Sequence, residues 1–216
     1  MRRQRLGFTL FEIVVTSALA SLLLTLAIQI VIPAMKSSAA TSARVQMQQS
    51  AVIALNRMVA DLESSLAAGI ALHNNDTTGE VFLGIHPIVD VTSTKPSTQI
   101  YSRQMVLYRH LAGSNLLQRQ LWPPNPSGNA PSVDGVKIPS PFMALRLSND
   151  DLHILCTAAH DRQTLSQDVK SFRMVSSAAP PQIGQPIQMR LELSRSEHGK
   201  DIHFALQRSV HLRNSE

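Results

Sequence analysis

The residues most able to carry catalytic or metal chemistry are eight histidines and one cysteine. His153 and Cys156 lie three residues apart in a segment, 152–157, that reads as a β-strand. On a strand this spacing puts them on opposite faces, so shared metal ligation is not expected. The sequence lacks an H-E-x-x-H zinc motif, a G-x-S-x-G nucleophile turn and a Gly-rich phosphate loop. We predict a buried Cys156, solvated histidines, no metal or cofactor, and no enzymatic activity.

Two short polar clusters have residues that calcium prefers. They are Asn74-Asn75-Asp76 and Asn149-Asp150-Asp151. Each is small for a calcium loop and typical of turns, in which Asn and Asp bond nearby backbone. We therefore predict turns at both positions.

A long uncharged stretch follows a basic segment at the start of the chain. Residues Ile13 to Ile32 contain no charged residue, glycine or proline. As a helix, these twenty residues extend about 30 Å, the thickness of a bilayer's hydrocarbon core. Because Arg2, Arg3 and Arg5 precede them, the positive-inside rule places the N-terminus in the cytoplasm and the chain after Pro33 outside. The sequence predicts one transmembrane helix over 13–32.

A carboxylate stands close to the start of this apolar run. The string Gly7-Phe8-Thr9-Leu10-Phe11-Glu12 resembles the prepilin processing motif of the type IV pilin and type II secretion pseudopilin family. The resemblance implies that prepilin peptidase cuts between Gly7 and Phe8 and methylates the new Phe8 amine. It also implies that the mature helix joins a filament of other pilins or pseudopilins. Many family members have a proline where this chain has Gln29, so the sequence departs from the pattern there.

The motif residues also have a physical interpretation. Gly7 lacks a Cβ, which allows a protease close access to the backbone. Glu12 lies about one helical turn from the Phe8 amine. An unpaired carboxylate is costly in an apolar environment, so Glu12 is expected to neutralise the amine of a neighbouring subunit during assembly. The alternative makes Glu12 a simple interface residue and Gly7 a chance glycine.

A polar stripe runs along the apolar helix, with Ser17, Ser21, Thr25 and Gln29 at every fourth position. This spacing keeps them near one face, where small or hydroxylated residues let membrane helices pack closely. We interpret the stripe as a contact for neighbouring pilin helices. Alternatively, the hydroxyls bond carbonyls of their own helix and face lipid.

Helical periodicity continues beyond Pro33. An apolar seam is formed by Val45, Val52, Val59 and Leu66, which are seven residues apart. Two further leucines, Leu55 and Leu62, occupy intervening positions. We predict a helix over 8–68, about 90 Å long, that stops before Gly69. The seam is expected to pack on the chain's own globular domain; a coiled-coil partner is the alternative.

Residues 69–216 predict an antiparallel, β-rich domain, which makes the fold class α+β. The predicted strands are 81–85, 88–91, 104–111, 116–122, 142–147, 152–157, 169–175, 187–193 and 202–212. Met189, Leu191 and Leu193 alternate with polar residues, as in a sheet with one wet face. The stretch 123–141 holds six of the twelve prolines and predicts an irregular loop of unassigned role.

The whole layout is similar to that of the larger minor members of the family, such as the J-type pseudopilin and the W-type minor pilin. It comprises the basic leader 1–7, the long helix, a hairpin with Tyr108 and Arg119, the Pro-rich loop and the C-terminal strands. The resemblance implies a subunit in the bacterial inner membrane, with its domain in the periplasm, that takes part in assembly or initiation of a type II secretion pseudopilus or a type IV pilus. Two alternatives are a DNA-contacting minor pilin and an exported β-rich protein with an ordinary signal peptide cleaved near 39–43.

The charge distribution bears on the DNA alternative. The formal net charge is +5, but it falls to +2 without the three leader arginines. The remaining basic residues are interleaved with acids, and nucleic acid is not an expected partner. Those that could still converge in space are Arg162, Lys170, Arg173, Arg208 and Arg213.

Overall fold

The computed structural model describes residues 9–75, 77–90, 100–111, 113–125, 132–158, 161–177, 183–197 and 199–212. The predicted leader 1–7 and the residues Gly7 and Phe8 lie outside these ranges. The fold is α+β: one long N-terminal helix is followed by antiparallel sheets. The elements are α1 Leu10–Glu63, β1 Ser65–Asn75, β2 Glu80–Asp90, β3 Ile100–Tyr101, β4 Met105–His110, β5 Leu116–Trp122, β6 Ser132–Val133, β7 Val136–Lys137, α2 Asn149–Thr157, β8 Gln163–Gln167, β9 Val169–Val175, β10 Ile187–Glu197 and β11 Lys200–Val210.

Helix α1 runs without interruption for 54 residues, about 80 Å. It contains no glycine and is rich in Ala, Leu, Met and Gln, which are strong helix formers. Pro33 lies inside the helix and cannot donate to the carbonyl of Gln29, four residues earlier. The helix continues through this one missing bond.

The end of α1 falls at Glu63, five residues before the predicted end at 68. Ser65 instead pairs with Pro87 of β2, and the Ile88 amide donates to the Ser64 carbonyl at 2.7 Å. Gly69 is therefore a strand residue, where a Cβ would lie 3.0 Å from the His86 carbonyl oxygen. Pairing with β2 overrides the helical propensity of the Ala- and Leu-containing segment that forms β1.

The strands form two main sheets. The larger has the order β1-β2-β4-β5-β8, with β3 also paired to β2, and the smaller has the order β11-β10-β9. The predicted hairpins 104–111/116–122 and 187–193/202–212 are present as β4–β5 and β10–β11. In β10, the side chains of Met189, Leu191 and Leu193 are buried while that of Arg190 is exposed, which confirms one wet face there.

The larger sheet, in contrast, is buried on both faces. Val81, Leu83 and Ile85 of β2 face the core under α1, while Phe82 faces a second core under α2. The strands predicted separately over 81–85 and 88–91 form one strand, which runs from Glu80 to Asp90 through Pro87.

Helix α2 corrects two predictions, because 149–151 is not a turn and 152–157 is not a strand. Ser148 and Asp151 form a capping box that starts the helix, with the Asp151 amide donating to the Ser148 hydroxyl at 3.1 Å. Leu152 packs close to Gly84, where a Cβ would lie only 3.0 Å from the leucine Cδ2. The missing side chain lets the helix approach the sheet.

Two other segments differ from their predictions. The segment 142–147 is irregular, with a single bridge between Ser140 and Met143, so the strand predicted there is wrong. The Pro-rich stretch 123–141 contains the short hairpin β6–β7, and its residues 126–131 lie outside the described ranges. Val136 of this hairpin is buried in the second core.

His86 is buried in a polar site that requires a neutral imidazole. Its Nε2 donates to the Ser102 carbonyl oxygen at 2.7 Å, and its Nδ1 accepts the Leu145 amide at 2.9 Å. Burial lowers the pKa of His86, and the hydrogen bond to Ser102 opposes this in part. Protonation would place a second N–H against the Leu145 amide. His86, and likewise the buried His110, are therefore not solvated as predicted.

We expect the free energy of unfolding to decrease as the pH falls below 6.5, the unshifted histidine pKa. The unfolded chain then binds more protons than the folded one, so acid favours unfolding. Urea unfolding from about pH 7.5 to about pH 5.5 measures this dependence. In His86→Gln the side-chain amide can donate and accept a hydrogen bond without titrating, so stability should depend less strongly on pH. Burial also lowers the pKa of His110, which accounts for the dependence that remains. An unchanged dependence would contradict the assignment.

Candidate functional site

The N-terminal half of α1 presents an apolar surface on which none of the described residues packs. Every residue from Leu10 to Ser38 is exposed, and the run from Leu10 to Ile32 is dominated by Leu, Ile, Val and Ala. Among the described residues, α1 is the one helix long and apolar enough to cross a membrane. Such an exposed surface would be a liability in water and is suited to a bilayer or to other apolar helices.

Glu12 is part of the structure that starts this helix. Its Oε2 accepts hydrogen bonds from the Thr9 amide at 2.9 Å and the Thr9 hydroxyl at 3.1 Å. The Glu12 amide in turn donates to the Thr9 hydroxyl at 3.3 Å, which completes a capping box. Both bonds to the carboxylate use Oε2, and no described residue bonds Oε1. The carboxylate can therefore cap its own helix and still accept a further cationic donor.

The hydroxyl groups of the polar stripe bond carbonyls of their own helix. Ser17 donates to the Val14 carbonyl at 2.9 Å, and Ser21 donates to Ala18 at 2.8 Å. Thr25 donates to the Ser21 carbonyl at 2.8 Å. These are the hydrogen bonds expected if the stripe faces lipid rather than another helix. Packing of the stripe, including exposed Gln29, against another helix stays a prediction.

The second half of α1 packs on the β-domain, as the preferred interpretation of the seam predicts. Its buried face differs from the predicted one, however: Val45 is 45% exposed, and Val52 and Val59 are half-buried. The fully buried positions are Met47, Ala51, Ala54, Leu55, Met58 and Leu62. They recur at three and four residues, and Met47/Ala54, Ala51/Met58 and Leu55/Leu62 are each seven apart. The buried face therefore keeps the seven-residue spacing but is rotated around the helix away from the line of valines. Small alanines, absent from the predicted seam, occupy the contact.

A buried polar cluster joins this half of α1 to the larger sheet. We call Asp61, Tyr108 and Arg119 the Asp61 cluster. Tyr108 and Arg119 face each other across β4 and β5. The Tyr108 hydroxyl and the Arg119 Nε both donate to Asp61 Oδ2, the latter at 2.9 Å. Burial, with the hydrogen bond to and the charge of Asp61, raises the pKa of Tyr108 far above its usual value. The cluster fixes the helix in one orientation on the domain.

Tyr108 and Arg119 both lie in the predicted hairpin, but the sequence does not indicate that they meet Asp61. A carboxylate beside an apolar helical seam is expected to be solvated, yet the Asp61 side chain is only 14% exposed. The available signal was a Tyr and an Arg at facing positions of a predicted hairpin, which lacked an acidic partner in either strand.

The cysteine and histidine pair does not form a reactive site. Both residues lie on α2, where His153 is exposed and Cys156 is buried. The ring of His153 lies edge-on to Phe82, with 5.7 Å between centroids. In the part of the chain that the structure describes, no group of three or more His, Cys, Asp or Glu side chains could hold a metal.

Cys156 is expected to resist alkylation in the folded protein. Burial raises the pKa of its thiol to about 12, although Arg109 and Arg162 oppose this in part. At about pH 8 the reactive thiolate is therefore scarce and shielded. Mass spectrometry after iodoacetamide treatment should show slow labelling of the native chain and rapid labelling in concentrated urea. Equal rates in the two states would contradict the buried assignment.

The basic residues that could have formed a nucleic-acid surface do not share one face. Arg162 bonds Gln120 at 2.9 Å and the carbonyls of Cys156 and Ala158, so it caps α2. Arg173 lies opposite Arg190, whereas Arg208 lies opposite the buried Met189 and thus on the other side of the sheet. Lys170 shares β9 with Arg173, and Arg213 lies outside the described residues.

Comparison with known proteins identifies no relative of this chain. No family model, curated protein or solved structure matches the chain. Its function is therefore inferred from its own residues: an exposed apolar half-helix that begins at a capped Glu12, and a second half fixed on a β-domain.

Proposed function

We propose that the protein is a minor subunit of pilin or pseudopilin type that takes part in assembly or initiation of a type II secretion pseudopilus or a type IV pilus. The observation that carries this proposal is the division of α1 into an exposed apolar half and a half docked on an antiparallel domain. A continuous helix transmits any movement of the anchor directly to the domain. This is the mechanical requirement for a subunit that is drawn from a membrane into a filament.

The proposal includes the processing and topology implied by the sequence. Prepilin peptidase would cut between Gly7 and Phe8 and methylate Phe8, with the N-terminus in the cytoplasm and the domain in the periplasm. Glu12 would meet the new amine of a neighbouring subunit through the carboxylate oxygen that the cap leaves unused. The chemistry is done to this chain by the peptidase, and the chain itself is a binding and structural component.

The position of the alternative signal-peptidase site supports the proposal. Residues 39–43 lie within α1, and Ala43 is buried against the domain. Proteases prefer exposed, irregular segments, so cutting there would require the helix to unwind and leave its contact. Cleavage of the folded chain at this point is thus disfavoured.

The deciding experiment is the mass and N-terminal sequence of the membrane-extracted protein from cells with and without prepilin peptidase. We expect a mature chain that begins with methylated Phe8 and that depends on the peptidase. A Gly7→Val variant should remain unprocessed, while the matched Leu6→Val variant should be cut normally. A soluble product cut near Ala43, independent of the peptidase, would overturn the proposal.

A further inference from the structure

A cleft of about 880 Å³ opens between the two sheets at one side of their shared core. One wall is the end of β1, and the other wall is β9 along its length, from Lys170 to Val175. Among the described strands, β1 and β9 are each the last strand of their sheet. The cleft is therefore bounded by two strand edges, which are the parts of a sheet able to accept a further strand.

The orientation of the β9 backbone can be read from one contact. The Asn74 side-chain amide donates to the Met174 carbonyl, so this carbonyl points away from β10 and toward β1. Because backbone groups in an antiparallel ladder alternate between the two neighbouring strands, Phe172 points its N–H and C=O the same way. No described residue bonds the Phe172 main chain on that side. A donor and an acceptor are thus presented to the cleft.

The side chains around the cleft have the layered arrangement that an extended peptide requires. Its inner surface includes the buried side chains of Val81, Leu147 and Phe172. Its rim includes the polar residues Ser171 and Ser177. A bound strand points alternate side chains to opposite sides, so one set would enter the apolar floor while the other meets the polar rim.

The charged residues of the cleft indicate which charge a bound peptide would carry. Among the described residues, Arg146, Lys170 and Arg173 line it, against one carboxylate, that of Glu80. Glu80 is engaged by the Thr78 hydroxyl at 3.0 Å. Neither Arg146 nor Arg173 forms an ion pair with any described carboxylate. The complementary ligand therefore carries carboxylates.

We propose that this cleft binds an extended acidic segment of a partner protein, which pairs as a strand with the β9 edge at Phe172, between the positions that Asn74 and Asn115 already bond. Main-chain hydrogen bonds to Phe172 would give affinity, and carboxylates facing Arg146 and Arg173 would give selectivity. The inference does not depend on the filament role, since neither processing nor the anchor enters into it. Its failure would leave the proposed function untouched.

Binding of defined peptides to the purified full-length chain in detergent micelles tests the proposal. The probe is the blocked peptide TEVEVEVT, whose glutamates and valines occupy opposite faces, and its matched control is TKVKVKVT. We expect the acidic peptide to bind at least about tenfold more tightly, because the cleft is basic. An N-methylated acidic peptide, which cannot pair with a strand edge, should lose binding. Equal affinity of the acidic and lysine peptides, or full retention by the N-methylated one, would overturn the proposal.

Variants and hydrogen exchange locate the binding. Arg173→Glu should weaken the acidic peptide at least about tenfold, while Arg208→Glu, the same charge change on β11 outside the cleft, should not. Residue 173 lies opposite Arg190 across the ladder, so Arg173→Glu replaces a pair of like charges by a pair of opposite charges and folding should be retained. Amide exchange in β9 should slow on binding. Unchanged exchange in β9, or equal losses in both variants, would show that the peptide binds elsewhere.

Discussion

Replacement of Asp61 by alanine is expected to lower the free energy of unfolding by about 3–5 kcal/mol. The change leaves Arg119, whose side chain is only 10% exposed, without its carboxylate, and removes the acceptor of the Tyr108 hydroxyl. An uncompensated buried charge costs more than the ion pair itself contributes. Urea unfolding monitored by the fluorescence of Trp122, the single and fully buried tryptophan, measures the loss.

The matched control is Arg57→Ala. Arg57 also approaches Asp61 Oδ2, at 3.8 Å, but its side chain is 55% exposed. Exposed pairs contribute about 0–1 kcal/mol, so this variant should be nearly neutral. The double variant Asp61→Leu with Arg119→Met should lose less stability than the single changes added together, because no charge remains unpaired. Equal effects of Asp61→Ala and Arg57→Ala would show that the cluster does not fix the helix.

The parts of the fold that follow from local patterns could be predicted from the sequence. The hairpins β4–β5 and β10–β11 have alternating side chains and short loops, and the anchor is an uninterrupted apolar run. The sequence does not predict strand β1, because SLAAGIALHNN is rich in helix formers and becomes a strand only by pairing with β2. It does not predict helix α2, because Leu152 to Thr157 has the apolar character of a short strand.

Because the sequence does not predict α2, it also does not predict the second hydrophobic core. Without α2, no predicted element covers the second face of the larger sheet. The capping box formed by Ser148 and Asp151 was the local signal of a helix start. With that signal, Phe82, Leu107 and Trp122 would have been assigned to a second core.

In the candidate site, too, the parts formed by residues close in sequence can be predicted, and the parts formed by distant residues cannot. The motif 7–12 and the polar stripe lie within one continuous segment, so their spacing is visible in the sequence. The Asp61 cluster joins residues 47 and 58 positions apart, and the cleft depends on two strands nearly one hundred residues apart. Such contacts depend on strand order, which local patterns do not specify.

Replacement of Glu12 by leucine is expected to preserve membrane insertion and to reduce incorporation into filaments at least about tenfold. An acidic residue costs about 2.5–3.5 kcal/mol at the centre of a membrane helix, so its removal does not oppose insertion. It does remove the carboxylate that would neutralise the amine of a neighbouring Phe8 in an apolar contact. The measurement is the fraction of the protein in sheared filaments relative to the fraction in membranes.

The effect on assembly must be separated from the loss of the helix cap, since Glu12 also bonds the Thr9 amide and hydroxyl. Thr9→Ala removes the hydroxyl half of this capping box and retains the carboxylate, so it should weaken the first turn by about 1 kcal/mol and reduce incorporation only slightly. Thr16→Val, which removes a bond to the Glu12 carbonyl, should assemble normally. If Glu12→Leu assembles as the wild type does, Glu12 acts as a cap alone; if Thr9→Ala is equally defective, the cap rather than the charge controls assembly.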